Sequence, residues 1–503
     1  MSSQGEENNT EDYDKEFEGV EYSKVTKDVV RSLTQTSWKY YLALGITFLF
    51  LLAGAGVYYY QTRWGLGVWG TNEPTYWGLD IPNFIFWIGL SHSGTLLSAI
   101  LLLTRSNWRK PIYRSAEAMT FFALVTAQVV ILTHLARPWR AFYAMPYPNI
   151  RTLWTNLRSA LSWDIVAIST YMTLSFLFLY VGTIPDFAAA RDHTTGWRKK
   201  FYTVLSLGWK GSDREWRHLH RAYILLAAFV VPLAASVHSV VGWDWAVTIN
   251  PGMHSTIFAP YFVAGAIFSG IAGVVIIMIL VRKFLRFQEY IKISHIERLA
   301  KMLLVLSLAW SFINIFEIVI PWLKEANFEL MTVASKWRGS YAPLYWTMLT
   351  VNGVFPLAMF SKRVRTSLPA MFFIAAGVEL GMYLERVLII IPGQNIGHLP
   401  ATWSSYIPSW VELALTAWTF SVFTFLFLIF VKLVPSLSIY EVKELLRVPR
   451  RSKMVLAANP VSSSQGGSAL DQRSDSKTHG SGGDPELATE GKDKAKSSRE
   501  EEE

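Results

Sequence analysis

Long apolar runs alternate with short polar breaks from about residue 39 to residue 434. Ten runs stand out, near 39–60, 81–104, 115–136, 163–184, 221–245, 256–281, 299–321, 343–361, 367–391 and 409–434. Several exceed the roughly 18 residues that let an α-helix cross a bilayer core of roughly 30 Å. The pattern predicts an all-α polytopic membrane protein with ten transmembrane helices. Phe86, Gly89, Ser93 and Gly94 in the second run recur as Phe262, Gly265, Ser269 and Gly270 in the sixth, at one constant offset. Small residues at such spacing let helices approach closely. Runs one to four and five to eight then form two related four-helix bundles, with two extra helices after them.

This divides the chain into six parts. Residues 1–37 open acidic and polar and read as a disordered cytoplasmic tail without the basic and apolar regions of a signal peptide. Residues 38–184 form the first bundle. Residues 185–220 are a cytoplasmic loop whose G-W-R-K-K-F-Y stretch suits an interfacial amphipathic helix. Residues 221–361 form the second bundle and 362–435 the two additional helices. Residues 436–503 are a cytoplasmic tail with one short surface helix, S-I-Y-E-V-K-E-L-L-R, and then disorder.

Composition strengthens the membrane reading. The chain is 51% hydrophobic and 17% charged, where a soluble domain carries about 25% charge. Its 21 Trp and 22 Tyr suit interfacial belts, and also a site that grips flat ligands. There is no cysteine, which excludes Cys-ligated iron–sulfur clusters, thioether-linked haem and disulfides within the chain. The net charge of +9 is spread over loops and tails, so it sets orientation rather than a nucleic-acid surface. Loops after the second, fourth, sixth and eighth runs are basic (Arg105, Arg109, Lys110 and Arg114 in the first of them), and those after the fifth and ninth lack Lys and Arg. Both termini are therefore expected in the cytoplasm.

The loop from Thr133 to Asp164 breaks that rule. It falls on the outer side yet carries Arg137, Arg140, Arg151 and Arg158 among prolines and aromatics. Arginines on the wrong side call for a partner. Ionisable residues within the runs are costly, so each is a functional candidate. These are His92, His134, Asp164, His238, Asp244, Glu317, Glu379, Glu385 and Arg386, most of them toward the outer half. A bis-histidine haem needs facing histidines at one depth. His92 and His238 are the deepest and are not clearly level, so no haem is expected.

Quinol oxidation suits the constellation. A quinol is flat, apolar along its tail, and must lose two protons and two electrons. Its site needs a proton acceptor for each hydroxyl, aromatic walls and an opening to lipid. His134 and Asp164 supply the acceptors. Arg137 or Arg158 would hold Asp164 ionised. Trp139, Tyr143, Tyr147 and Trp163 offer rings, and Arg140 lies beside them. Simpler roles fit too: His134 as a helix-end cap, Asp164 as an N-cap, the aromatics as belt residues.

The motifs H-L-A-R-P-W-R at 134–140, W-T-N-L-R-S-A-L-S-W-D at 154–164, I-P-D-F-A-A-A-R-D at 184–192, S-V-H-S-V-V-G-W-D at 236–244, P-G-M-H-S-T-I-F-A-P-Y-F-V-A-G-A-I-F-S-G at 251–270 and G-M-Y-L-E-R at 381–386 resemble the NrfD/PsrC-like family, the membrane subunits related to polysulfide reductase. Within it the likeness is nearest to the larger such subunit of bacterial alternative complex III, and it runs from about residue 30 to 450. The resemblance implies a quinol pocket at the outer face of the first bundle around His134 and Asp164, with a quinone, menaquinone expected, and neither haem nor iron–sulfur cluster in this chain. It implies an extrinsic iron–sulfur subunit on the outer face, c-type haem subunits, a second NrfD-like membrane subunit and a bacterial inner-membrane location. It also implies a proton route, here through His92, His238, Asp244, Glu317, Glu379, Glu385 and Arg386. The stretch I-I-I-P-G-Q-N-I-G-H-L-P after Arg386 departs from the family, which has a more polar segment there. Two other readings stay open. One is a secondary transporter built on the repeat, although runs two and six point the same way. The other is a quinone-free scaffold that conducts protons.

Overall fold

The computed structural model describes residues 17, 20–144, 160–253, 255 and 257–446, and the regular structure in them is helical. In chain order the main helices are α1 (Tyr22–Thr34), α2 (Trp38–Trp64), α3 (Asp80–Leu103), α4 (Tyr113–His134), α5 (Ala160–Asp192), α6 (Gly196–Leu205) and α7 (Asp213–Ala246). They continue with α8 (Phe258–Phe284), α9 (Ile293–Leu323), α10 (Asn327–Trp337), α11 (Ala342–Leu349), α12 (Leu368–Asn395), α13 (Trp410–Leu433) and α14 (Ile439–Leu445). Among the described residues, eight helices are long and apolar enough to cross a membrane: α2, α3, α4, α5, α7, α8, α9 and α13.

The other two expected spans differ for physical reasons. The run near 343–361 starts as α11, loosens into a π turn at Thr350–Val354 and tightens into a 3-10 turn at Phe355–Phe360. Pro356 has no N–H to continue an α-helix. The run near 367–391 is the continuous α12, but it carries Glu379, Glu385 and Arg386.

Helices α3 and α8 form the centre. The apolar part of α3 is 89% buried and that of α8 72%, against 6% for α2, which lies along α13. The repeat noted in the sequence falls on this central crossing. A Cβ at Gly89 would meet Ser269 Oγ at 3.5 Å, and one at Gly270 would collide with Ser93. Ser93 Oγ donates to the Ile267 carbonyl at 2.8 Å. Gly94 gives the same clearance to the Ala116 carbonyl of α4. Without side chains at these positions the backbones pack in direct contact, which is how helices gain adhesion where water does not drive them together.

Three expectations about the flanking segments are corrected. Residues 1–37 are not a disordered tail throughout. Val25, Val29 and Leu33 recur on one face of α1 and are fully buried, enough apolar burial to order the helix. Nor does the fourth run end at Pro185. Helix α5 continues to Asp192, and Arg114 donates to the Leu179 and Gly182 carbonyls at 3.2 and 2.6 Å just before that proline. Side-chain donors of this kind make a helical proline tolerable. The third correction is α14, which is docked rather than on the surface: Ile439, Glu441 and Val442 are buried.

That docking closes the end of the molecule where α4 begins. Arg109 meets Glu441 at 2.6 Å and Arg114 meets Asp186 at 2.9 Å. Asp186 also accepts from the Ile439 N–H at 2.9 Å, which caps α14. Glu117 accepts from Ser98 at 2.6 Å and from Tyr223 at 2.8 Å. All five charged groups are buried, so Arg109 and Arg114 are not the solvated loop charges their positions suggest. Arg109 also lies over the Tyr113 ring, 4.2 Å from its centroid.

Gly270→Ala should force α3 and α8 apart and lower stability by about 1–3 kcal/mol, read as a lower Tm of the purified protein in detergent. Glu441→Ala should cost about 3–5 kcal/mol by stranding Arg109. The double change Arg109→Met with Glu441→Leu should be less harmful than Glu441→Ala alone, by the same melting measurement.

Candidate functional site

At the opposite end, where α4 finishes, polar groups meet in a different way. The chain from α2 to α3 folds back over this end and is pinned there. Glu412, at the start of α13, accepts from the backbone N–H of Gly70 at 2.7 Å and of Leu79 at 3.2 Å. Gln394 of α12 accepts from the N–H of Tyr76 and Trp77 at 3.1 and 3.3 Å. Gln61 of α2 donates to the Thr133 carbonyl at 2.6 Å and accepts from the Trp69 indole at 3.0 Å. These bonds fix the first turn of α3 against the last turn of α4.

The result is a carboxylate–imidazole pair. Asp80 Oδ2 lies 3.6 Å from His134 Nδ1, an ion-pair separation longer than a hydrogen bond. Thr133 Oγ1 donates to both Asp80 oxygens at 3.0 and 3.1 Å and so sets the carboxylate's rotation. The Asp80 side chain is 5% exposed and that of His134 28%, with the Trp69 ring 5.9 Å from the imidazole. His134 thus keeps one face open while Asp80 holds it from behind.

A carboxyl pair stands on neighbouring helices. Asp164, in the first turns of α5, stands within hydrogen-bonding reach of Asp244, in the last turn of α7. An ionised carboxylate only accepts, so two of them meet this way only with a proton between them. Both are buried. The sequence suggested Arg137 or Arg158 as the neighbour of Asp164 and joined Asp164 to His134; the structure gives each acceptor a carboxyl of its own. Arg137, Trp139 and Arg140 are exposed, and Arg137 has no ion pair among the described residues. Trp163 is 37% exposed. Tyr147, Arg151 and Arg158 lie outside the described residues, as does the side chain of Tyr143.

Two buried carboxyl oxygens in these pairs have no hydrogen-bond partner, Asp164 Oδ1 and Asp244 Oδ1, while His134 Nδ1 faces the Asp80 carboxylate. Buried polar atoms are normally satisfied, so their convergence at one end of the helices fits a ligand that carries hydroxyl donors.

Deeper in, the remaining candidates form a row. His92 on α3 and His238 on α7 are level after all, their rings in edge contact with centroids 4.3 Å apart. Their helices pack side by side, and a linear sequence does not report that depth. His92 is held by the Ile88 and Ala234 carbonyls at 2.9 and 2.6 Å, while neither nitrogen of His238 has a partner. Phe262, 6.0 Å from His238, carries Arg386 over its ring at 4.8 Å. Arg386 pairs with Glu385 at 2.6 Å, and Glu385 accepts from the Trp310 indole at 2.6 Å. Glu317 is apart from this row, paired with Lys336 of α10 at 2.7 Å. Glu379 lies elsewhere on α12, against Gly273 of α8, with both carboxyl oxygens unpartnered.

Sequence reasoning missed Asp80 and Lys336. Asp80 has a visible signal, an acid at the outer mouth of the second run on the same side as His134. Lys336 has none, because its burial depends on where α10 lies. Among the described residues no three His, Cys, Asp or Glu side chains assemble as a metal site.

Comparison with known proteins agrees with the membrane architecture. A putative dimethyl sulfoxide reductase membrane subunit of Halobacterium salinarum is 25% identical over 401 residues, covering 75% of this chain and 87% of the relative. A selenate reductase subunit of Mesobacillus selenatarsenatis is 24% identical over 417 residues, covering 78% of this chain and 94% of the relative. Both are similar along most of their length. Residues 67–397, well over half of the chain and the part that contains the Asp80–His134 pair, the Asp164–Asp244 pair and the buried row, match the family described as polysulphide reductase, NrfD, and the chain belongs to that family.

Proposed function

We propose that this protein is the quinol-oxidising membrane subunit of a multi-subunit oxidoreductase. One observation carries the reading: the Asp80–His134 pair and the Asp164–Asp244 pair, with Asp164 Oδ1 and Asp244 Oδ1 buried and unpartnered, stand at the same end of the helices. A quinol has two hydroxyl protons to lose. The imidazole of His134, steadied by Asp80, suits one of them, and the Asp164–Asp244 pair suits the other by passing its own proton along as a new one arrives. Trp69, Trp139 and Trp163 offer ring surfaces at that end, and Arg137, Arg140, Tyr143 and Arg158 belong to the loop expected to close over the ligand. Menaquinol is the expected substrate.

The electrons must leave the chain, since it has no cysteine to hold an iron–sulfur cluster. They pass to an extrinsic iron–sulfur subunit docked at the His134 end and on to c-type haem subunits, with a second NrfD-like membrane subunit alongside, as in alternative complex III. The two relatives bear the names of dimethyl sulfoxide and selenate reductases, which favours the same direction of flow, out of quinol and into a partner. In this reading the chain crosses the bacterial inner membrane ten times as two related four-helix bundles and two added helices. Both termini are cytoplasmic. The row from His92 and His238 to Arg386 and Glu385, with Glu379 and Glu317 beyond it, serves proton movement.

The test is quinol-dependent reduction of the partner redox centres in the purified complex. Asp164→Asn should lower the rate by about 100-fold or more, the size of a lost general base. Asp80→Asn should retain quinol binding and lower kcat, because the imidazole loses the carboxylate that holds it in place. Full turnover in both variants, with the complex assembled, would refute the site and favour a quinone-free scaffold.

A further inference from the structure

A second concave site lies away from the His134 end's two acceptor pairs, between the end of α9, α10 and the segment that begins at Pro251. Its space is about 470 Å³ counting the open mouth. Far less of that is enclosed, so the cleft suits a headgroup at a surface rather than a whole buried ligand. Its floor is the Glu317–Lys336 ion pair, with the Lys336 side chain only 7% exposed. Its rim carries Lys324 and Glu329. Among the described residues these two make no ion pair and no side-chain hydrogen bond with each other or with anything else. One wall is apolar: Phe316, 37% exposed, continues downward into Phe312, 62% exposed, their rings 4.8 Å apart.

Opposite charges that face one cleft without pairing leave room for a ligand that carries the complementary pair. A phosphate would take the Lys324 ammonium and a primary ammonium would take the Glu329 carboxylate, each by a charge-assisted contact. The neutral sum of the four side chains disfavours a simple anion, which would meet two carboxylates. The exposed Phe316 and Phe312 run along α9, a membrane-spanning helix, and offer a track for a hydrocarbon tail. Trp322 and Leu323, each 68% exposed, put the mouth at the level of the bilayer interface.

We propose that this cleft binds the headgroup of a zwitterionic phospholipid with a primary ammonium, a phosphatidylethanolamine, in a defined site distinct from the two acceptor pairs. The bound lipid would wedge α10 against α9 and cover the Glu317–Lys336 pair from water.

The experiment uses the intact complex, purified in mild detergent, with bound phospholipid counted by mass spectrometry. A delipidated sample is then reloaded with phosphatidylethanolamine or with phosphatidylglycerol. The double variant Lys324→Ala with Glu329→Ala should retain phosphatidylethanolamine at least about tenfold less well, the effect of losing charge-assisted contacts. Phosphatidylglycerol uptake should be low in both proteins. Both substitutions are on an exposed rim, so the variant should keep its assembly and its quinol turnover, which separates lost lipid from lost fold. Equal retention by variant and unmodified complex would overturn the proposal. So would tight phosphatidylglycerol binding abolished by Lys324→Ala alone, which would make the site a plain phosphate site.

Discussion

The architecture depends on one close approach, the crossing of α3 and α8 at Gly89, Ser93, Ser269 and Gly270. In lipid, helices gain little from hiding apolar surface, since the solvent is itself apolar. Adhesion must come from contact area and from polar bonds across the crossing. The glycines provide the first and Ser93 the second. Because the backbones touch there, the side chains that flank the crossing are forced into a narrow shared volume. His92 and Arg386 are both there. His92 reaches the Ala234 carbonyl of α7, and the Arg386 guanidinium occupies the space that a side chain at Gly265 would fill. The buried row therefore exists because the centre is built from small residues.

The two ends of the molecule solve the problem of buried charge differently. At the Arg109 end the charges are matched. Two arginines answer Asp186 and Glu441, and one oxygen of Glu117 accepts from two hydroxyls while the other lies 3.9 Å from Arg114. Such a cluster is costly to assemble and costly to break. At the His134 end, among the described residues, no arginine or lysine pairs with Asp80, Asp164 or Asp244. Carboxyls face an imidazole at 3.6 Å or face each other, and acceptor atoms remain open. An unmatched arrangement in an otherwise well-packed chain has a cost in stability. The contrast separates a cluster answered by arginines from one without them, although both contain Asp and both are buried.

Much of this was legible in the sequence. Apolar runs marked the helices, and the recurrence of Phe86, Gly89, Ser93 and Gly94 pointed to the central crossing. The polar exceptions His134, Asp164 and Asp244 marked the His134 end. What escaped has a common cause. Pairing partners such as Asp80 with His134, Asp164 with Asp244 and His92 with His238 depend on the relative depth and rotation of helices far apart in the chain, and periodicity reports neither. The disordered reading of the segment before α2 failed because its acidic opening hid a three-residue apolar face, Val25, Val29 and Leu33. Pro185 misled for the opposite reason. A local breaker was overruled by a distant arginine that took over the carbonyls around it.

The Arg109–Glu441 contact joins residues 332 positions apart. During synthesis Arg109 and Arg114 enter the assembly long before their full set of counter-charges exists, because Glu441 and the helix that Asp186 caps are made only after the last long apolar helix. Until then Arg109 lacks the carboxylate that pairs with it, although Glu117 and Asp186 already face Arg114. The arrival of α14 is therefore the step that seals this end. A chain cut just before residue 439 would have its long helices but would leave Arg109 without its carboxylate and Asp186 without the helix it caps.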